Sequence, residues 1–571
     1  MWAPWRQPWL ALRPARGRGP KNRCGARPPL SSASTTWSPS TRPCSKGWPG
    51  GETWCVADAK TAASVRVPAG GEALGGRTAG SAAWLIGGRL FTKFVEFLSL
   101  LVLAQLLTPE DFGVIAIAMT LVTIVEAVFE LPITQVLIAR QAISQRHLDT
   151  AFTLSALRGG ALTLAVWASA VPFAHFYRND TLVWMILALG VAPGLRGMGS
   201  PGLVLYAREL KYRREIAAEL VCKTGSLVCS VAAAWWLRDY RALMVGIVAT
   251  PTIWILASYA LAPYRPRISL AEWPLFADFL GWTTGAQLLA AINWQCDRLI
   301  LGRFVTPAQL GIYSVANDLS YVPEQALIRP IVRPLLSVFA LIADQRARLA
   351  TAYVQASNAV LAIGAPVLLG LCMLAQPAVA LALGDKWLGA IPVLQWLSLT
   401  LVPPLLTAPY SSLAMALNRP QGLLGQRAAE LVFKVPLMVV GAVWYGIEGA
   451  VVARAISAFS TALLVMVMTR RLIGVSVQHQ LLATWRTVLA SGGLVAVLYA
   501  LSPLLADLAG LELALGIGLV AGIGMAAYAL ILALTWHQAG RPAGIESMAY
   551  DRVLVRVLAR LRGPCAEQRS A

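Results

Sequence analysis

From Trp84 onward the chain is a succession of long apolar runs separated by short polar breaks. A bilayer core takes about 20 apolar residues to cross as a helix, and the pattern predicts fourteen such helices. They fall at roughly 84–107, 112–138, 151–174, 182–205, 218–237, 242–262, 276–302, 310–340, 353–383, 389–416, 428–445, 448–468, 487–506 and 512–536. The 310–340 and 353–383 runs are long for one crossing and predict tilt, kinks at prolines or extensions beyond the bilayer.

The breaks give the orientation. Those after even-numbered helices, with the tail after 536, carry twenty-one Lys and Arg; those after odd-numbered helices carry five (Arg178, Arg238, Arg241, Arg303 and Lys386). Positive loops stay inside, so the first set and both termini are expected in the cytoplasm. A miscounted helix would scramble this alternation, so the split also supports the count.

Composition agrees with the pattern: 57% of the 571 residues are apolar and 13% charged, where soluble domains carry about a quarter charged. The net charge of +20 would suggest nucleic acid in a soluble protein; here cytoplasmic loops account for it, and no nucleic-acid partner is expected. Eight Cys and four His include no CxxC and no metal-ligand spacing, so neither metal nor cofactor is expected.

The two ends differ from the rest. Residues 1–80 hold twelve Lys/Arg against three acids, with ten Pro and six Trp, a composition that cannot form a core. They read as a disordered basic extension of non-native origin, with a basic arm on anionic lipid as the alternative. Beyond it the organisation expected is a six-helix lobe at 81–268, a second at 269–472, two further helices at 473–540 and a cytoplasmic tail at 541–571. In that tail Leu554, Val557, Leu558 and Leu561 share one helical face and Arg552, Arg556 and Arg560 another, a basic amphipathic helix suited to a membrane surface.

An internal repeat underlies the two lobes. Leu107-Thr108-Pro109-Glu110-Asp111-Phe112-Gly113-Val114 follows the first helix, and Val305-Thr306-Pro307-Ala308-Gln309-Leu310-Gly311-Ile312 follows the seventh. Thr, Pro and Gly recur 198 residues apart at identical spacing. The spacing fits a tight external turn in which Thr caps the next helix, Pro fills its first turn and Gly permits close packing. Six helices per repeat is an even number, so the repeats are parallel, with a substrate path expected between them.

The run Leu103-Ala104-Gln105-Leu106-Leu107-Thr108-Pro109-Glu110-Asp111-Phe112-Gly113 resembles the first-helix signature of Wzx-type polysaccharide transporters. So does Asp297-Arg298-Leu299-Ile300-Leu301-Gly302-Arg303 with Gly311-Ile312-Tyr313. These transporters form the polysaccharide branch of the multidrug/oligosaccharidyl-lipid/polysaccharide exporter superfamily. The resemblance covers about residues 80 to 536, nearest to the colanic acid and lipopolysaccharide exporters. It implies an all-α polytopic membrane protein of twelve to fourteen helices and two lobes around a central cavity. It also implies flipping of an undecaprenyl-diphosphate-linked sugar repeat across a bacterial inner membrane, as a non-enzymatic carrier with polymerase and assembly proteins as partners.

Such a carrier needs a wet, cationic cavity, and ionisable residues at membrane depth are costly enough to be candidates by default. The cations expected to face the diphosphate are Arg89, Lys93, Arg298 and Arg329, since Arg suits bidentate phosphate recognition and Lys supplies a movable charge. The alternatives are snorkelling for Arg89, a local pair with Asp297 for Arg298, and a structural or gating kink at Pro330 for Arg329. Glu126 and Glu130, four apart on one helix, and Asp318 are the candidates for ion coupling; the alternative is that they neutralise cations on neighbouring helices. Glu430 and Lys434 read as an i, i+4 structural pair. Trp84, Trp184, Trp273, Trp387, Trp396 and Tyr445 read mostly as membrane-interface anchors.

Rival functions are a cation-coupled drug antiporter of the same superfamily and a membrane glycan polymerase or ligase. The intramembrane cations disfavour the first, and external breaks of about four to seven residues are too short to build the second's active site. No GxxxxGK[ST] loop is present for an ATP-driven pump.

Overall fold

The computed structural model describes residues 71–541 apart from 129–132, 134–136, 138–142, 209–212, 274–279 and 420. Residues 1–70, the tail beyond Arg541 and Glu130 lie outside the described residues.

Nine described helices are long and apolar enough to cross a membrane. One of them, Gln421–Ile473, reverses at Gly446, whose φ of 59° suits a residue without Cβ. Gly441 and Gly449 then lie in backbone contact across the bend, although eight residues of straight helix would separate them by about 12 Å. That helix therefore supplies two crossings. Four more come from helices that are more polar or broken, giving fourteen among the described residues.

These are labelled α1 to α14 in chain order. The first repeat holds α1 (Gly71–Leu106), α2 (Pro109–Val128), α3 (Gln145–Tyr177), α4 (Thr181–Leu189, continued by Val191–Gly197 and Leu203–Arg208), α5 (Arg213–Leu237) and α6 (Arg241–Leu261). The second holds α7 (Leu280–Phe304), α8 (Pro307–Pro323 and its continuation), α9 (Arg346–Met373, then Ala375–Ala382), α10 (Ala390–Thr400, Val402–Thr407, Tyr410–Ala416), and α11 and α12, the arms of Gln421–Ile473 before and after Gly446. The last two crossings, α13 (Trp485–Leu501) and α14 (Gly510–Gln538), pack on each other and on α9.

Helix α8 breaks where its prolines require. After Pro323 the chain widens into a π turn, Glu324–Ile328, then a helical turn, Arg329–Val332, then Leu335–Leu341 beyond Pro334. Such π turns insert one residue into the ladder and occur at functional sites more often than elsewhere.

The repeated motif closes one end of the bundle. Thr306 Oγ1 accepts from the Gln309 backbone N–H at 3.3 Å while Gln309 Oε1 accepts from Thr306 N–H at 3.2 Å, a capping box. Asp111 makes the matching box with Thr108, and its Oδ1 also accepts from the Tyr240 backbone N–H at 3.0 Å, tying α2 to the start of α6. The two turns meet across the repeats. A Cβ on Gly113 would run into the carbonyl oxygen of Pro307, and one on Gly311 into that of Pro109.

More bonds join the repeats at this end. Trp387 Nε1 donates to the Ala104 carbonyl at 2.8 Å, Gln105 Nε2 to that of Ala382 at 3.0 Å, and the Tyr177 hydroxyl to that of Leu299 at 2.6 Å. Trp387 is fully buried, edge-on to Phe112 with centroids 5.3 Å apart. It is a plug between the repeats and not the interface anchor its place in the sequence suggests. Trp184, Trp273, Trp396 and Tyr445 are exposed as expected of anchors.

Candidate functional site: a one-ended charged cavity

A cavity of about 910 Å³ lies among α7 to α12. Its deep end is formed by Asn293, Asp297, Tyr313, Lys434 and Arg454; Arg333, Leu336, Met415, Gln426 and Arg427 lie at its mouth, at the Arg-rich end opposite the closed turns.

The deep end is a buried charge network. Asp297 receives Lys434 Nζ on Oδ1 at 2.7 Å and Arg454 Nη1 on Oδ2 at 2.6 Å. Arg454 Nη1 also donates to the Tyr313 hydroxyl at 2.8 Å and Asn317 Oδ1 at 2.9 Å, and Nη2 to the Tyr321 hydroxyl at 2.8 Å. Tyr313 in turn donates to Asp297 Oδ2 at 2.9 Å, and Lys434 Nζ donates to the Asn293 carbonyl at 2.9 Å. Two cations share one carboxylate, so the network keeps a surplus positive charge. Buried charges survive only when paired and hydrogen-bonded this fully.

The structure rearranges one pair expected from the sequence and one that stood there as an alternative. Lys434 does not pair with Glu430: it turns to Asp297, and Glu430 meets Arg427 at 3.3 Å instead. Asp297 and Arg298 do not pair with each other either. Successive helical residues point about 100° apart, so Asp297 faces α11 and α12 while Arg298 reaches Asp318 at 2.5 Å.

Of the cations expected to meet the diphosphate, Arg298 and Arg329 line this cavity. Arg329 bridges Glu324 at 3.5 Å across the π turn. Arg89 and Lys93 lie on α1, exposed, outside the cavity's lining. Lys93 meets Glu96 at 2.7 Å, and Lys223 of α5 meets the same carboxylate at 2.7 Å. Of the ion-coupling candidates, Glu126 holds Arg196 of α4 at 2.9 Å and Asp318 is the partner of Arg298.

Arg454 escaped the sequence reading, although a lone cation in Gly449-Ala450-Val451-Val452-Ala453-Arg454-Ala455-Ile456 is what the cost of intramembrane charge should flag. The cavity wall carries six cations, Arg298, Arg329, Arg333, Arg427, Lys434 and Arg454, against three acids, Asp297, Glu324 and Glu430.

Comparison with known proteins places this arrangement. The sequence profile of the polysaccharide biosynthesis protein family matches residues 102–392. The lipopolysaccharide biosynthesis protein WzxC of Escherichia coli (strain K12) is 24% identical over 414 residues, 72% of this chain and 84% of that protein. The succinoglycan biosynthesis transport protein ExoT of Rhizobium meliloti (strain 1021) is 23% identical over 319 residues, 56% of this chain. That match spans 65% of ExoT, just under two thirds of its length.

Among solved structures, the lipid II flippase MurJ in an inward closed conformation superposes with a TM-score of 0.62 at 12% identity, covering 80% of this chain and 100% of that one. An inward-facing multidrug resistance MATE family transporter of the MOP superfamily superposes at 0.56 and 15% identity, over 67% and 94%. At these identities the likeness is one of fold. With the family profile covering half of the sequence, the chain belongs to the polysaccharide biosynthesis protein family, as a multi-pass, all-α membrane protein.

Proposed function

We propose that the protein is a flippase that carries undecaprenyl-diphosphate-linked oligosaccharide repeat units across the bacterial inner membrane, for lipopolysaccharide or exopolysaccharide synthesis. The observation that carries this reading is the cavity: charged at its wall, richer in cations than acids, and open at one end of a membrane-spanning bundle whose other end is shut. A diphosphate needs such a lining to leave water, and a carrier needs it open to one side at a time. The names of WzxC and ExoT support the substrate class.

On this reading the Arg-rich end and both termini are cytoplasmic by the positive-inside rule, and the cavity faces the side on which lipid-linked repeats are made. The lobes at 81–268 and 269–472 rock about the Gly113–Gly311 contact, with 473–540 riding on the second lobe. Arg298 and Arg329 meet the diphosphate in the cavity, and Arg89 and Lys93 meet it from the first lobe. Glu126, Glu130 and Asp318 are the carboxylates available for ion coupling. The chain acts as a carrier and not a catalyst, handing its cargo to polymerase and assembly proteins.

The test is complementation of a bacterial strain lacking its own polysaccharide flippase, with the full chain and its Arg298→Ala and Arg329→Ala variants. Restored surface glycan, lost in both variants at equal protein levels, is the expected result. Restoration unaffected by either variant removes these residues from the site. Failure to restore glycan, together with failure of the purified protein to bind lipid-linked repeats, removes the flippase reading.

A further inference from the structure

Between the buried charge network and the mouth of the cavity stands an aromatic pair that takes no part in ion pairing. The rings of Trp294 on α7 and Tyr321 on α8 lie with centroids 4.5 Å apart and planes inclined at 56°. Tyr321 is fixed in place, its hydroxyl held by Arg454 and its ring 5.5 Å from the Arg454 guanidinium carbon. Tyr321 thus braces the indole of Trp294, which remains 40% exposed in the cavity wall. Among the described residues the Trp294 ring nitrogen donates to nothing, which leaves its N–H free for a ligand in the cavity.

Two further polar atoms in the same wall are also unsatisfied. Asn293, adjoining Trp294, is 4% exposed, and its Oδ1 has no hydrogen-bond partner; neither has Thr461 Oγ1 on α12. A buried polar atom left unpaired costs stability. Orphans that line a cavity beside an open aromatic face therefore point to a ligand that is polar at its edges and apolar on its face.

A pyranose ring has that character. Its axial C–H bonds form an apolar face whose positive hydrogens suit the negative face of an indole, and its equatorial hydroxyls both donate and accept. We propose that Trp294 and Tyr321, with Asn293 and Thr461, form a pyranose-binding subsite for the sugar end of the substrate, distinct from the cations that take its diphosphate. This rests on the flippase reading and adds the part of the cargo that this wall grips. The diphosphate then lies toward Arg298 and Arg329, and the sugar stacks on the indole.

The test uses the purified full chain in detergent. Its affinity is measured by thermophoresis for undecaprenyl diphosphate and for the same lipid carrying one glucose, galactose or N-acetylglucosamine. At least one sugar is expected to tighten binding by about three- to tenfold, the range of one aromatic stacking contact. Trp294→Ala abolishes that increment and leaves affinity for the bare lipid within about twofold, while Trp294→Phe keeps part of the increment. The Asn293→Ala/Thr461→Val variant carries the same expectation should Trp294→Ala fail to purify. An absent increment with all three sugars, or a Trp294→Ala variant that weakens the bare lipid equally, overturns the subsite and leaves the flippase reading standing. Wild-type protein that binds neither the bare lipid nor the sugar-bearing lipids, and restores no surface glycan, overturns both.

Discussion

Lys434 reaches Asp297 across 2.7 Å and so joins α11 to α7. Lys223 reaches Glu96 across the same 2.7 Å and joins α5 to α1. Each repeat thus ties its first helix to its fifth through a carboxylate–lysine pair, and each carboxylate holds a second cation, Arg454 in one repeat and Lys93 in the other. The two differ in their contact with water. The side chains of Lys434 and Asp297 are 9% and 4% exposed, those of Lys223 and Glu96 32% and 34%. The buried pair fixes the geometry of the second repeat, whereas the open pair can exchange its partners for solvent or ligand.

Asp297→Asn leaves two buried cations without a counter-charge, and breaking a buried pair in this way costs about 3–5 kcal/mol. Glu96→Gln leaves lysines that are only part-buried, so its cost falls below that of the buried network, toward the ~1 kcal/mol of exposed pairs. Thermal unfolding of the detergent-solubilised variants checks this: Asp297→Asn should melt well below Glu96→Gln. Equal melting temperatures would show that burial does not separate the two networks. Adding Lys434→Met to Asp297→Asn should recover part of the loss by removing one stranded charge.

Much of this was legible in the sequence, for reasons that particular residues make plain. The fourteen crossings followed from run length and from the alternation of basic loops, because lipid enforces both. The turns at Thr108 and Thr306 followed from their repeat, because capping and tight packing allow few residue types. The partners of Asp297 did not follow. Lys434 lies 137 positions away and Arg454 lies 157, and spacing along one helix favours Glu430 over Asp297 for Lys434. In a helix apolar on every face, periodicity does not fix which side meets a neighbour, so only packing reveals these pairs. Trp387 was misread for a similar reason: a tryptophan near a helix end looks like an anchor until a second repeat covers it.

The contact between Gly113 and Gly311 should control opening at the closed end. Gly113→Ala places a methyl against the Pro307 carbonyl, and overpacking of this kind costs about 1–3 kcal/mol in the closed state. A shift of that size changes the open population by about five- to a hundredfold. With native cysteines replaced, a cysteine at Leu310, fully buried in the closed state, should then react at least about fivefold faster with a membrane-impermeant thiol reagent. Gly311→Ala should do the same, since the contact is reciprocal. Unchanged labelling in both would mean that other contacts hold the closure.

Trp387 supplies one such contact. Trp387→Phe keeps the ring against Phe112 but leaves the Ala104 carbonyl without the indole donor. The expected cost is about 1–3 kcal/mol, that of an unsatisfied buried acceptor. Trp387→Ala adds a cavity and should cost about 3–5 kcal/mol. Both should lower the melting temperature in that order, with Trp387→Phe raising labelling at position 310 while the protein remains folded. A Trp387→Phe variant as stable and as closed as the wild type would show that the hydrogen bond adds nothing to the plug.

The pair of Arg298 with Asp318 distinguishes a ligand contact from mere neutralisation. Asp318 is 48% exposed at its side chain and Arg298 17%, and Arg298 alone of the two lines the cavity. Were Arg298 present only to balance Asp318, removing both charges together should restore what either loss destroys. A phosphate contact made by Arg298 predicts otherwise: Arg298→Ala and Arg298→Ala/Asp318→Asn should both lose affinity for the lipid diphosphate, while Asp318→Asn retains it whatever its effect on coupling. Removing a charge-assisted contact costs about 1.5–3 kcal/mol, or roughly ten- to a hundredfold in affinity for the lipid diphosphate. Recovery of that affinity in the double variant would make the pair structural and move the phosphate contact to Arg329 or to the lysines of the first repeat.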